Sequence, residues 1–88
     1  MRKVAGPVLS EGKFWVQLGA FKSSRNATQL AAQIRAEHYP VEVRWGKSPG
    51  APYVVWVGKY SKWERAKQVR AALQRKGFRG FILRDERG

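Results

Sequence analysis

The chain contains no cysteine and a single histidine. Without a thiol there is no disulfide framework, no thiolate metal site and no cysteine nucleophile, and the redox compartment stays open. His38 has no second imidazole to join it in holding a metal ion. Acidic residues are scarce as well: six Asp and Glu stand against eighteen Lys and Arg, a formal charge of +12. Long apolar runs are missing; the longest is Tyr53-Val54-Val55-Trp56-Val57, against the roughly 20 residues of a membrane span. Met1-Arg2-Lys3 and the apolar residues up to Leu9 imitate the start of a signal peptide. That stretch is too short and is broken by Gly6 and Pro7. A lipid anchor would need a cysteine, or a glycine where Arg2 stands. The expectation is a soluble domain whose address, if any, lies in a longer parent.

Catalysis is disfavoured by the same scarcity. Glu11 sits in a leader, Glu37 near a helix end, Glu42 on an edge strand, Glu64 at a helix start, and Asp85 and Glu86 in a tail. Glycoside hydrolysis needs two carboxylates held across one cleft, and no pair of these is placed for it. No serine has a nucleophile-elbow setting. The reading is a non-enzyme that needs no cofactor.

What is present is a small core with strong periodicity. In 88 residues, 43% are apolar and 12% aromatic, enough for one packed domain. Residues 1–12 lack periodicity and read as a leader; the domain is expected over 13–84, with a charged tail at 85–88. Phe14-Trp15-Val16-Gln17-Leu18 predicts a strand with Phe14, Val16 and Leu18 on one face. Ala27, Leu30, Ala31 and Ile34 follow a helical face, with Ser23 or Ser24 as N-cap. Pro40 closes that helix, and Val41 to Trp45 alternates as a second strand. Tyr53 to Val57 predicts a third strand closed by Gly58. Ser61-Lys62-Trp63-Glu64 reads as a capping box, Ala66, Val69 and Leu73 as a buried face, and Gly77 as a left-handed C-terminal residue. Gly80 to Arg84 is the last strand.

The second half repeats the first at an offset of 39 residues: Val16 matches Val55, Gly19 Gly58, Phe21 Tyr60, Ala27 Ala66 and Ile34 Leu73. Two strand–helix–strand units, over 14–45 and 53–84, predict an α+β, ferredoxin-like βαββαβ fold. Its four-stranded antiparallel sheet carries both helices on one face. The other face is then open. The first and third strands form the central pair, so Trp15, Gln17 and Trp56 are expected on that face as an exposed patch flanked by Glu42 and Arg44. Trp45 and Trp63 read as structural, Gly19 and Gly58 as strand-to-helix bends. The parity of Phe81-Ile82-Leu83 stays open.

Trp15-Val16-Gln17-Leu18-Gly19-Ala20-Phe21 with Asn26, Ala27 and Leu30 resembles the signature of the SPOR (sporulation-related) domain. Tyr53 to Tyr60 with Glu64-Arg65-Ala66 resembles its second half. The resemblance runs from Phe14 to Arg84 and implies a bacterial cell-envelope module, in the periplasm or wall at the septum. Such modules bind peptidoglycan strands of N-acetylglucosamine and N-acetylmuramic acid that lack stem peptides. It marks Gln17 as the family glutamine, followed by Gly19. A family serine falls on Ala20, an aromatic near Pro52 or Tyr53 and a basic residue on Val54. These departures shift the stacking and polar contacts to Trp56, Trp15 or Arg44.

The chemistry suits such a ligand. Sugar C–H faces pack on indoles, an amide offers donors and an acceptor, and Arg44 can pair with a muramic carboxylate. A monomer is expected. The rival class is RNA or single-stranded nucleic acid: a basic βαββαβ domain with sheet aromatics is the outline of an RNA-recognition motif. Lys76-Gly77-Phe78-Arg79-Gly80-Phe81-Ile82 even imitates its RNP1 segment, on the fourth strand instead of the third.

Overall fold

The computed structural model describes residues 11–84, so residues 1–10 of the expected leader and the expected tail lie outside them. Six elements follow in order: β1 (Glu11–Phe21), α1 (Ser24–Ala36), β2 (Val41–Trp45), β3 (Tyr53–Lys62), α2 (Trp63–Arg75) and β4 (Phe81–Arg84). The sheet order is β2-β3-β1-β4 and all three ladders are antiparallel. This is the expected ferredoxin-like βαββαβ arrangement, with β1 and β3 central and both helices over one face.

The two helices have equal length and begin 39 residues apart. Ala27, Ala31 and Ile34 of α1 and Ala66, Val69 and Leu73 of α2 are buried. They close on Val16, Val55 and Val57 from the central strands. Burying a Val, Leu or Ile side chain contributes about 1.5–3 kcal/mol, and an alanine methyl less, and the helices are held chiefly by this packing. Their ends also match. His38 (φ 71°) and Gly77 (φ 95°) both take the left-handed conformation just past the helix. There the backbone N–H of Gly77 donates to Gln74 and that of Phe78 to Leu73.

Three expectations need correction. The capping box is not formed: Ser23 caps α1, accepting from the Asn26 N–H, but the N-cap of α2 is Lys62, with no side-chain cap. Ser61 is instead the penultimate residue of β3, so its hydroxyl is one position too early. Both central strands outrun their expected ends, and β1 already includes Glu11 and Gly12. Gly19 and Gly58 therefore lie inside strands, not at bends. Each sits where the β1–β3 register slips: Gln17 faces Trp56 but Gly19 faces Val55, and Val16 faces Val57 but Phe14 faces Tyr60.

Such a bulge adds one residue and reverses the face of everything beyond it. Here it turns Phe21 and Tyr60 toward the helices, where both pack on the core. The Gly-x-aromatic repeat is thus a bulge that recovers an aromatic for the core. At Gly58 the backbone requires glycine, with φ at 147° and a Cβ position 3.0 Å from the Phe14 carbonyl oxygen.

Candidate functional site

The face opposite the helices is built from four strands and one loop. The register sets Gln17 opposite Trp56 on β3 and opposite Phe81 on β4, with Trp15 opposite Leu83. Glu42 and Arg44 of β2 face Trp56 and Val54. This resolves the parity left open for the last strand: Phe81 and Leu83 share the open face, and Ile82 packs on the core. The loop from Gly46 to Pro52 folds back on itself through Gly46 N–H to Pro52 and Ala51 N–H to Ser48. Loop and sheet enclose a groove of about 510 Å³, with Gln17, Ala20, Val54, Trp56 and Leu83 along its floor and Arg44 and Lys47 among the residues lining it.

At its centre the Trp56 indole N–H donates to Oε1 of Gln17 at 2.9 Å. An indole nitrogen only donates, so the amide oxygen must face it and the amide NH₂ is turned elsewhere. The two residues are themselves 39 apart, equivalent positions of the repeat that meet where its halves join. The Arg44 guanidinium lies 4.8 Å from the centroid of Trp56 and 5.3 Å from that of Trp15, within cation–π range. Its Nη1 meets Oε1 of Glu42 at 3.2 Å.

The expected residues divide. Gln17, Ala20, Arg44, Val54 and Trp56 line one groove. Trp15 is on the expected face but is not exposed: it is 5% accessible. Trp56 tilts against its ring at 5.2 Å, Arg44 covers it, and it lies across Gly58. It is the floor beneath the platform, and its buried Nε1 has no hydrogen-bond partner among the described residues. Gly19 and Tyr53 are on the other side of the sheet. A Cβ at Gly19 would meet Phe21 and Leu30, and Tyr53 packs against the cluster of Ala27, Ala31 and Val55. The bulge moved Gly19, which strict alternation from Phe14 could not show, whereas Tyr53 stands with Val55 and Val57 on the helix side, where alternation along β3 puts it, and only the family resemblance had made it a candidate.

Trp45 departs in the opposite sense. It ends an edge strand, is 73% exposed and meets Tyr53 edge-on at 5.1 Å, so it is not a core residue. Trp63, read as structural, packs edge-on against Phe14. Sequence reasoning missed Leu83, Phe81 and the loop residues Lys47 and Ser48. Only the cross-strand register identifies the first two, since three successive apolar residues carry no alternation. In the segment that imitates RNP1, Phe78 packs on the core and Phe81 is on the open face.

An open sheet face with a fixed amide, a capped indole pair and cations at the rim defines a binding module. Among the described residues no His, Cys, Asp and Glu cluster could hold a metal, and no helix is long and apolar enough to cross a membrane. The chain belongs to the SPOR domain family, whose model matches residues 10–84. It is similar to the solution structure of the peptidoglycan binding domain of the B. subtilis cell wall lytic enzyme CwlC, with a TM-score of 0.72 and 27% identity over 98% of this chain and 100% of that one. No curated protein matches the chain.

Proposed function

We propose that this domain is a non-catalytic module that binds peptidoglycan on the open face of its sheet. It takes glycan strands that lack stem peptides and so directs a parent protein to the cell envelope at the division septum. The observation that carries this reading is the groove itself: the Gln17–Trp56 pair, with Arg44 stacked above it, lies on the face the helices leave free. The chain is also similar over 98% of its length to a peptidoglycan binding domain. A sugar packs its C–H face on apolar surface, and the Gln17 amide NH₂ donates to a hydroxyl or N-acetyl oxygen. The carboxylate that amide cleavage leaves on muramic acid meets Arg44. A stem peptide would occupy that carboxylate and crowd the groove.

The test is retention of the purified domain on isolated sacculi, before and after an amidase removes the stem peptides, at low and high salt. Stronger retention on stripped walls that survives salt is expected. Equal retention on both, or retention abolished by modest salt, would overturn the reading. The steep salt response is the mark of nucleic-acid binding, and it would make the Lys and Arg residues in and beside α2, from Lys62 to Lys76, the contact surface.

A further inference from the structure

Among the described residues Arg44 is the one cation that lies over both indoles of the open face, and it already holds a carboxylate. Its contact with Glu42 joins one nitrogen to one oxygen at 3.2 Å, between side chains 35% and 50% accessible. A single-point contact at the rim is weaker and more easily exchanged than a two-pronged guanidinium–carboxylate pair. The guanidinium carbon lies 4.8 Å from the Trp56 centroid and 5.3 Å from that of Trp15, and the two rings are 5.2 Å apart, so both indoles support it from one side. Those contacts hold the guanidinium carbon over the indoles whichever carboxylate its N–H groups meet. Arg44 can therefore change carboxylate partners without leaving the indoles.

We propose that Glu42 is an internal stand-in for the ligand's carboxylate, and that it sets how strongly the groove selects acidic glycans over neutral ones. The inference rests on the glycan reading above and adds a positioning residue to it. In the free domain Glu42 neutralises Arg44 and holds it over Trp56. A glycan bearing a free lactyl carboxylate displaces Glu42 or shares Arg44 with it, against the repulsion of a second negative charge. A glycan without that carboxylate leaves the Glu42–Arg44 pair in place. Selectivity is then the difference between two carboxylates competing for one guanidinium, and Glu42 lowers it.

The test compares two probes on the full chain: amidase-stripped glycan strands, and the same strands with their carboxyl groups reduced to alcohols. Dissociation constants of the native chain, Glu42→Gln and Arg44→Gln are measured for each. Glu42→Gln keeps the shape and a hydrogen-bond acceptor but removes the competing charge. It is expected to raise the ratio of acidic to neutral affinity about two- to fivefold, the scale of an exposed pair, and the gain should shrink with salt. Arg44→Gln should bring the ratio close to one. If Glu42→Gln moves both affinities together, or neither, the inference is overturned. A native chain that binds both probes equally also overturns it, yet leaves the glycan reading standing. A native chain that binds neither removes both.

Discussion

Gln17 can be made to separate folding from binding. Its Oε1 accepts from the half-buried Trp56 indole, and its NH₂ is the part left for a ligand. Gln17→Ala removes both functions. The lost hydrogen bond costs about 1 kcal/mol, which lowers the melting temperature of a domain this size by roughly 4–8 °C. The lost donors should weaken binding to stripped glycan about tenfold, equivalent to about 1.4 kcal/mol. Gln17→Glu divides the two: a carboxylate still accepts from the indole, so stability should stay within about 0.5 kcal/mol of the native chain. It carries no donor, and its charge opposes an anionic ligand and competes for Arg44, so binding should fall at least as far as in Gln17→Ala. Thermal unfolding followed by tryptophan fluorescence, with retention on stripped sacculi, checks both halves. A Gln17→Glu chain that melts normally and binds normally would refute the assignment of the amide NH₂ to the ligand.

Two further outcomes test the scaffold. A Cβ at Gly80 would lie 2.7 Å from the Gln17 carbonyl oxygen and 2.8 Å from Leu18 Cδ2. Gly80→Ala should therefore cost about 1–3 kcal/mol in urea unfolding, and a neutral result would mean that β4 does not approach β1 this closely. At alkaline pH two groups act in one direction. The Glu37 carboxylate accepts from Lys76 Nζ and raises the ammonium pKa above its ordinary 10.5, while burial raises Tyr60 above 10.0 despite the opposing effect of Arg65. Groups whose folded pKa is raised stabilise fully below their unfolded value and lose that contribution as pH climbs through the folded one. The denaturant midpoint should drop above pH 10, and Lys76→Gln combined with Tyr60→Phe should flatten that drop; an unchanged slope in the double variant would refute the attribution.

The order of elements, the repeat and the core were legible because each rests on local period. Ala27, Ile34, Ala66 and Leu73 occupy helical spacings, and all four are fully buried. What stayed hidden depends on events between strands. The extra residues at Gly19 and Gly58 reverse alternation partway along β1 and β3, so extending the pattern from Phe14 misplaces Gly19, and Phe21 and Tyr60 reach the core only through the reversal. Trp15 stands on the face its parity demands, but its burial comes from Trp56 and from Arg44, which reaches across from the edge strand. Alternation reports which face a residue takes. It does not report what lies on top of it.

The repeat also explains where the site sits. Phe14 pairs with Tyr60 and Phe21 with Tyr53, the same pair exchanged by a 39-residue shift, which places an approximate two-fold axis through the sheet between Gln17 and Trp56. Away from the axis each copy meets its own surroundings, and equivalents can keep their type: alanine at 27 and 66, glycine at 19 and 58, an aromatic at 21 and 60. On the axis a residue meets its own equivalent; apolar equivalents such as Ile34 and Leu73 can share one cluster, but two like charges or two donors make poor partners. Two glutamates at 37 and 76 would repel, whereas Glu37 and Lys76 pair. Two tryptophans at 17 and 56 would leave two indole donors and no acceptor between them. A glutamine and a tryptophan make one hydrogen bond, one apolar plate and one outward amide. The axis is thus where a duplicated chain must differentiate its copies, and on the face without helices that difference is the centre of the groove.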